Sequence, residues 1–372
     1  MRLGMVLAGV LLVASTATLA AQPTYRFKVL GSLGGSETRA RNLNDKAEVT
    51  GYGYPSGASD HAFFYRNGNM TDLGTLGGPQ SFGYGINKSG SVAGWSDLPD
   101  NQTRAFVYSN GVMTNLGVIG DGDSLARAIN DDGTVVGTVT ERIGGRNRAF
   151  VYSNGSMSFF GSLGGLNSEA WDINNAGQIT GMSTLLGGRS QNAYIYDNGN
   201  FIDLGTLGGS SSMGFNINNL GEVAGFSLTA SGDYHAFLYS NGAMIGLGTL
   251  GGKESFGFGL NDHGQVVGLS MTAEGFTRAF LYSDGIMHNL NDLIDRPKGL
   301  WLADARGINN RGQIIANAFY QGQFRAFLLT PRGGIPEPAS WAMLITGFGL
   351  VGAVARKQRK SAALASLRIG KG

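Results

Sequence analysis

The chain alternates apolar and polar residues in short runs punctuated by glycine, asparagine and aspartate. In residues 235–252, HAFLYSNGAMIGLGTLGG, an alternating run meets Asn241-Gly242, a second short run follows, and Leu-Gly-Gly ends the phrase. An Asn-Gly or Asp-Gly pair between alternating runs predicts a two-residue β-hairpin. The same signal stands at 67–68, 110–111, 154–155 and 198–199, and as Asp284-Gly285. Turns this frequent leave no helical 3.6-residue periodicity, so the pattern predicts strands throughout.

The run before each hairpin is nearly one phrase: His61-Ala-Phe-Phe-Tyr, Arg104-Ala-Phe-Val-Tyr, Arg148-Ala-Phe-Val-Tyr, Asn192-Ala-Tyr-Ile-Tyr, His235-Ala-Phe-Leu-Tyr, Arg278-Ala-Phe-Leu-Tyr and Arg325-Ala-Phe-Leu-Leu. Its central aromatic falls at 63, 106, 150, 194, 237, 280 and 327, with spacings of 43, 44, 44, 43, 43 and 47. A fixed period in this range marks a repeat architecture. Each unit divides into four strand-sized segments. The innermost ends in Ile-Asn or Leu-Asn, at Asn44, Asn87, Asn130, Asn174, Asn218, Asn261 and Asn309. A glycine three residues later, in six of the seven copies, suits a type I turn. A short apolar strand follows, such as Val135-Val136. The hairpin phrase is the third segment and Met-x-x-Leu-Gly the fourth, running through Leu-Gly-Gly into the next unit.

Four antiparallel strands cannot bury two apolar faces alone, so the units must stack. A four-stranded unit of this length matches a propeller blade, with a β-solenoid as the alternative. The termini favour the propeller. The last unit stops after its third strand, at Pro331, whereas Tyr25-Arg-Phe-Lys-Val-Leu-Gly-Ser-Leu-Gly-Gly35 aligns with a fourth strand and its hinge. The expectation is therefore an all-β, seven-bladed β-propeller over residues 22–334, its last blade closed by the N-terminal strand.

Composition narrows the chemistry. Glycine supplies 62 of 372 residues, well above the usual ~7 % and without a collagen period. There is no cysteine, which excludes disulfides, thiolate metal sites and a cysteine nucleophile. Residues 22–338 carry 21 basic and 26 acidic side chains, a net charge of −5. That is no footprint for nucleic acid.

Both ends read as addresses. Residues 1–21 combine Arg2, an apolar run and a small-residue exit, the layout of a secretory signal peptide. Residues 335–360 hold Pro336-Glu337-Pro338, an apolar run from Trp341 to Ala355, and a cluster of Arg356, Lys357, Arg359 and Lys360; a short tail, 361–372, follows. The 15-residue run is shorter than the ~20 residues that span a bilayer. The basic cluster would hold this end on the cytoplasmic side. This three-part pattern resembles the PEP-CTERM sorting signal of Gram-negative bacteria. The resemblance implies a C-terminal sorting helix inserted transiently in the membrane, an exosortase-type processing enzyme as partner, and a setting of exopolysaccharide and biofilm. In that family the basic cluster normally ends the protein, and here it does not. The repeats, with Asp60-His-Ala-Phe63 and Tyr234-His-Ala-Phe237, resemble the HAF-repeat family of bacterial extracellular proteins, which implies no particular activity. The expected location is the cell-envelope surface or the extracellular matrix.

No His-Glu-x-x-His, Gly-x-Ser-x-Gly or Walker sequence is present. His61 and His235 share a repeat slot with arginines and an asparagine, and Leu-Gly-Gly recurs as a hinge, so neither is read as a catalytic or phosphate-binding element. No catalytic residue, metal site or cofactor is assigned. Function is sought instead where the repeats differ. The connections between second and third strands vary in every unit, and variable loops on a rigid scaffold tend to carry ligand contacts. Two residues before each Ile/Leu stand Arg41, Tyr84, Arg127, Trp171, Phe215, Phe258 and Arg306, which either pack between blades or ring a channel. Arg41, Tyr84, Arg127, Trp171 and Arg306, with Trp95 past a second strand, are the ligand-binding candidates. They are expected to act together with the variable connections. Aromatic faces and arginine forks suit a carboxylated sugar. The reading is a non-catalytic binding or scaffolding module for extracellular polysaccharide; the alternative is a polysaccharide lyase or glycosidase using carboxylates on the variable-loop face.

Overall fold

A computed structural model describes residues 25–57, 59–188 and 190–332. The signal-peptide, Pro336-Glu337-Pro338, sorting-helix and tail assignments lie outside the described residues. Within them the protein is all-β, with 28 strands and a single 3-10 turn, Leu290–Asp292. Among the described residues no helix is long and apolar enough to cross a membrane.

The strands form four-stranded antiparallel meanders, each pairing in sequence order. In the third unit, for example, Asp123–Ile129, Val135–Thr140, Asn147–Ser153 and Ser156–Phe159 pair in turn. The last meander has three strands of its own, Asp304–Ile308, Ile314–Tyr320 and Gln323–Pro331, and its fourth comes from the start of the chain. There Tyr25–Val29 runs antiparallel to Gln323–Pro331, from Tyr25 opposite Pro331 to Val29 opposite Phe327.

Local chemistry explains the turns. In the Asn-Gly pairs both residues take positive φ, as at Asn67 (51°) and Gly68 (94°), the conformation a two-residue hairpin of this twist requires. The Asn-x-x-Gly turns make the expected bond from the fourth residue's N–H to the first's carbonyl, such as Gly90 N to Asn87 O at 3.0 Å. In the first unit, where the glycine is missing, Ala47 holds the same place at φ 59°.

The repeated aromatics are the core. Phe63, Phe106, Phe150, Tyr194, Phe237, Phe280 and Phe327 are fully buried. The apolar clusters lie between neighbouring meanders rather than within one: Ala62 and Leu73 of the first unit pack with Ile86, Val92 and Phe106 of the second. Fully burying one such ring contributes roughly 1.5–3 kcal/mol, which no unit could gain alone.

The repeated turn asparagines stitch neighbouring units. Each accepts its own turn's N–H groups through Oδ1, as Asn174 does from Ala176 (3.0 Å) and Gln178 (2.9 Å). Each then donates Nδ2 to the backbone oxygen of the next unit's asparagine, at 2.9–3.3 Å. Asn309 donates to Asn44 O at 3.0 Å, so this ladder of bonds returns to its starting residue. These side chains are 3–6 % exposed, which makes their polar atoms costly to leave unpaired.

Candidate functional site

The inner strands converge on a cavity of about 290 Å³. It is lined in every unit by the residue three before the turn asparagine, by the asparagine, and by the residue after it. A β-bulge puts the first of these there. In all seven inner strands the ladder register slips at this residue: Ala40 pairs Gly51 and Asn42 pairs Thr50, leaving Arg41 extra. The same slip isolates Tyr84, Arg127, Trp171, Phe215, Phe258 and Arg306. A bulged residue leaves the ladder and its side chain is re-aimed, here towards the cavity. The second strand must come close at this point. A Cβ on Gly137 would lie 2.0 Å from Leu125 O, and six of the seven copies have glycine there.

Five of the six candidates from sequence, Arg41, Tyr84, Arg127, Trp171 and Arg306, share this cavity, together with Phe215 and Phe258. Trp95 does not border it. It stacks on Phe82 at 4.1 Å, in a layer with Tyr52, because the second strand lies behind the inner one. The variable connections do not border it either, which corrects the expectation that they and the ring share one site. The ring sits three residues from the Asn-x-x-Gly turn, so its cavity includes the residues of those short turns instead.

Ring side chains touch in series. Arg306 lies 4.2 Å from the Phe258 centroid; Phe258 meets Phe215 at 5.4 Å, and Phe215 meets Trp171 edge-on at 4.9 Å. Arg127 stands between Trp171 (4.4 Å) and Tyr84 (4.7 Å), and Arg41 approaches Tyr84 from 5.3 Å. Charge neutralisation is uneven. Arg306 Nε is bound by Asp304 at 2.8 Å. Arg41 donates to the Tyr52 hydroxyl at 3.2 Å, and neither Arg41 nor Arg127 has a carboxylate at ion-pair distance among the described residues. The buried Nε atoms of Arg41 and Arg127 have no hydrogen-bond partner among the described residues. Tyr84 is thus flanked by two unneutralised guanidiniums.

Below the ring the turn residues Asp45, Lys88, Asp131, Asn175, Asn219, Asp262 and Asn310 form the cavity's polar rim. In six steps a backbone N–H of one donates to the next side chain's oxygen, at 2.9–3.1 Å. Asp131 Oδ1, for example, accepts from Lys88 N at 2.9 Å. Among the described residues no group of three or more His, Asp or Glu could hold a metal ion.

Asp172, beside Trp171, was not legible as a functional residue. It lines the cavity, accepts from Asn216 Nδ2 (2.7 Å) and Ile217 N (2.9 Å), and is almost wholly buried. Burial pushes its pKa from 3.8 to about 7, against the pull of the Ile217 and Ile173 N–H groups. On the variable face, Asp60 rises to about 6, through burial first and the Glu37 charge second.

The fold is all-β and propeller-like, and solved structures resemble it. A puromycin-hydrolysing peptidase from Mycobacterium tuberculosis aligns over 80 % of this chain and 52 % of its own, at 11 % identity and TM-score 0.51. YCF48, in complex with a D1 peptide, aligns over 83 % of this chain and 96 % of its own, at 8 % identity and TM-score 0.50. TolB from Acinetobacter baumannii aligns over 78 % of this chain, at 15 % identity and TM-score 0.47. The chain spans 65 % of TolB and about half of the peptidase. No curated protein sequence matches it. At these identities the likeness is one of fold. Residues 80–330 match the family described as "Protein of unknown function (DUF3466)", and with two thirds of its length inside that match the chain belongs to this family.

Proposed function

We propose that this protein is an exported, closed seven-bladed β-propeller that binds a carboxylated sugar unit in its channel and performs no catalysis. The pair of unneutralised guanidiniums around Tyr84 carries this reading. A carboxylate bridging Arg41 and Arg127 would neutralise both guanidiniums through their terminal N–H groups. The cavity, about 290 Å³, sits at the lower end of the ~300–1,000 Å³ of small-molecule sites. It suits a single unit or chain end rather than a threaded polymer. Closure is supported by the pairing of Tyr25–Val29 with Gln323–Pro331 and by the returning asparagine ladder. Export, the HAF-repeat assignment, exosortase sorting and a setting at the cell surface or in the matrix are part of this proposal, supported by residues 1–21, the repeats and Pro336-Glu337-Pro338.

The test is calorimetric titration of the purified protein with trigalacturonate. Arg127→Ala should weaken binding by about 1–3 kcal/mol, the range of a desolvated anchor. Its melting temperature should change little. Lost stability with unaltered affinity would show that the ring only packs the channel.

A second reading, a glycoside-cleaving enzyme, is favoured by one feature: burial first and the Glu37 charge second raise the Asp60 pKa to about 6. One carboxylic acid with one carboxylate is the pairing such chemistry uses. Loss of polysaccharide-cleaving activity in Asp60→Asn would support it.

A further inference from the structure

On the face of the variable connections, the crossing from the sixth unit to the seventh takes residues 290–303, against four residues between the fourth and fifth units or the fifth and sixth. This insertion is firmly held. Leu290, Leu293, Leu300 and Leu302 are buried. Asn291 clamps Leu302 through both backbone groups, at 2.8 and 3.1 Å, and Tyr25 N donates to Leu293 O at 2.8 Å. Yet the platform leaves Trp301 41 % exposed, and Phe276 of the neighbouring variable connection 57 % exposed.

Two guanidiniums lie against these rings. Arg278 stands 4.3 Å from the Trp301 centroid and 4.9 Å from Phe276, and Arg296 stands 3.6 Å from Trp301. The repeat shows what is unusual. The slot of Arg278 holds His61, Arg104, Arg148 and Asn192 in four other copies, and each of those meets a carboxylate, Asp72, Asp123, Glu141 and Asp203; Arg325 in the last copy bonds only backbone carbonyls. Arg278 and Arg296 have none at ion-pair distance among the described residues. The adjacent Asp295 is taken by Arg332 at 2.6 Å, and exposed Glu274 acts on Arg278 only through space. Like charges held this close repel, and Arg296 disfavours the charged form of Arg278, second only to burial.

We propose that Phe276, Arg278, Arg296 and Trp301 form a second binding site, for a carboxylated saccharide unit, on the face of the variable connections and separate from the channel. The carboxylate bridges the two guanidinium forks, and the exposed rings take the apolar face of the sugar. A nucleic acid would need a basic track along its phosphates, which a domain of net charge −5 does not offer. Two sites facing away from each other would let one molecule hold two saccharide chains and raise avidity. This site is independent of the channel reading, although both name the same ligand class.

The test is titration of the full chain with trigalacturonate, with neutral galactotriose as control. Wild type should take up two trisaccharides, and Arg278→Gln/Arg296→Gln should lose one of them, an affinity fall of about 10-fold or more. Arg278→Lys/Arg296→Lys keeps the charge without the fork and should lose the same site, which guards against misfolding in the glutamine variant. An isotherm identical to wild type in both variants, or equal binding of galactotriose, would overturn the proposal. Failure of the channel reading is seen separately, as an Arg127→Ala isotherm that matches wild type.

Discussion

The asparagine ladder allows a sharp test of how the units hold together. Asn174 accepts from Ala176 N and Gln178 N, and donates to Gln178 Oε1 at 2.8 Å and Asn218 O at 2.9 Å. Asn174→Ala would leave two N–H donors without partners where the native side chain is 4 % exposed, and would take from Asn218 O one of its two bonds, that from Gly221 N remaining. At ~1 kcal/mol for each orphaned donor, the loss should be about 2 kcal/mol. Asn174→Asp separates the two roles. Its carboxyl can still accept from the turn, but when ionised it opposes Asn218 O with a charge instead of an N–H. The native state therefore favours the protonated acid, and its pKa rises above the unfolded value. The variant should lie near wild type below about pH 4 and lose stability as pH rises through the raised pKa. Urea unfolding at pH 4.5 and pH 8 measures both effects. Asn200→Ala on an exposed outer strand is the control, and should fall within about 0.5 kcal/mol of wild type. A cost below that for Asn174→Ala, or a pH-independent Asn174→Asp, would refute the ladder's role.

Two further outcomes follow from particular contacts. Deleting Tyr25–Val29 removes a tyrosine that is 2 % exposed and a five-residue strand pairing; with ~3–5 kcal/mol for the ring and ~1 for each ladder bond, the loss rivals the ~5–15 kcal/mol stability of a typical domain. The truncated chain should melt far lower and recover when a peptide of residues 22–35 is added; an unchanged melting temperature would sink ring closure. Asp172 has its pKa raised from 3.8 to about 7, so the protonated native form is favoured and this stability is lost as pH rises from about 4 through 7, by roughly 4 kcal/mol. Asp172→Asn should flatten that slope in denaturant titrations at stepped pH, and a slope equal to wild type would show that the carboxyl is not held neutral.

Much of the protein was legible in the primary structure because its signals are short-range. The period of the aromatic phrase, the Asn-Gly pairs and the Asn-x-x-Gly turns depend on the residues that carry them and on backbone sterics. They located the strands, the hairpins and the inner position that supplies Arg41, Tyr84, Arg127, Trp171 and Arg306. The spare strand at 25–29 could likewise be paired with the incomplete last unit by counting. The buried role of the turn asparagine was not legible. Asparagine at that place is sufficiently explained by its own turn, and its second bond reaches a residue 43 or more positions away.

Tertiary structure decided what those positions do. The direction of a strand side chain follows the ladder, and a single-residue bulge overrides the alternation that sequence can show, so only the pairing of inner and second strands revealed that the ring faces a cavity. That pairing also set the ring beside the invariant-looking short turns, away from the variable connections, and left Trp95 stacked on Phe82. Which arginines lack a counter-charge is equally nonlocal: Arg306 is satisfied by a carboxylate two residues away, whereas Arg41 and Arg127 depend on Tyr84 from a neighbouring unit. Sequence determined the repeating strands because hydrophobic period and turn chemistry act over a few residues. Charge balance, burial and the aim of a bulged side chain arise only when distant segments are brought into contact.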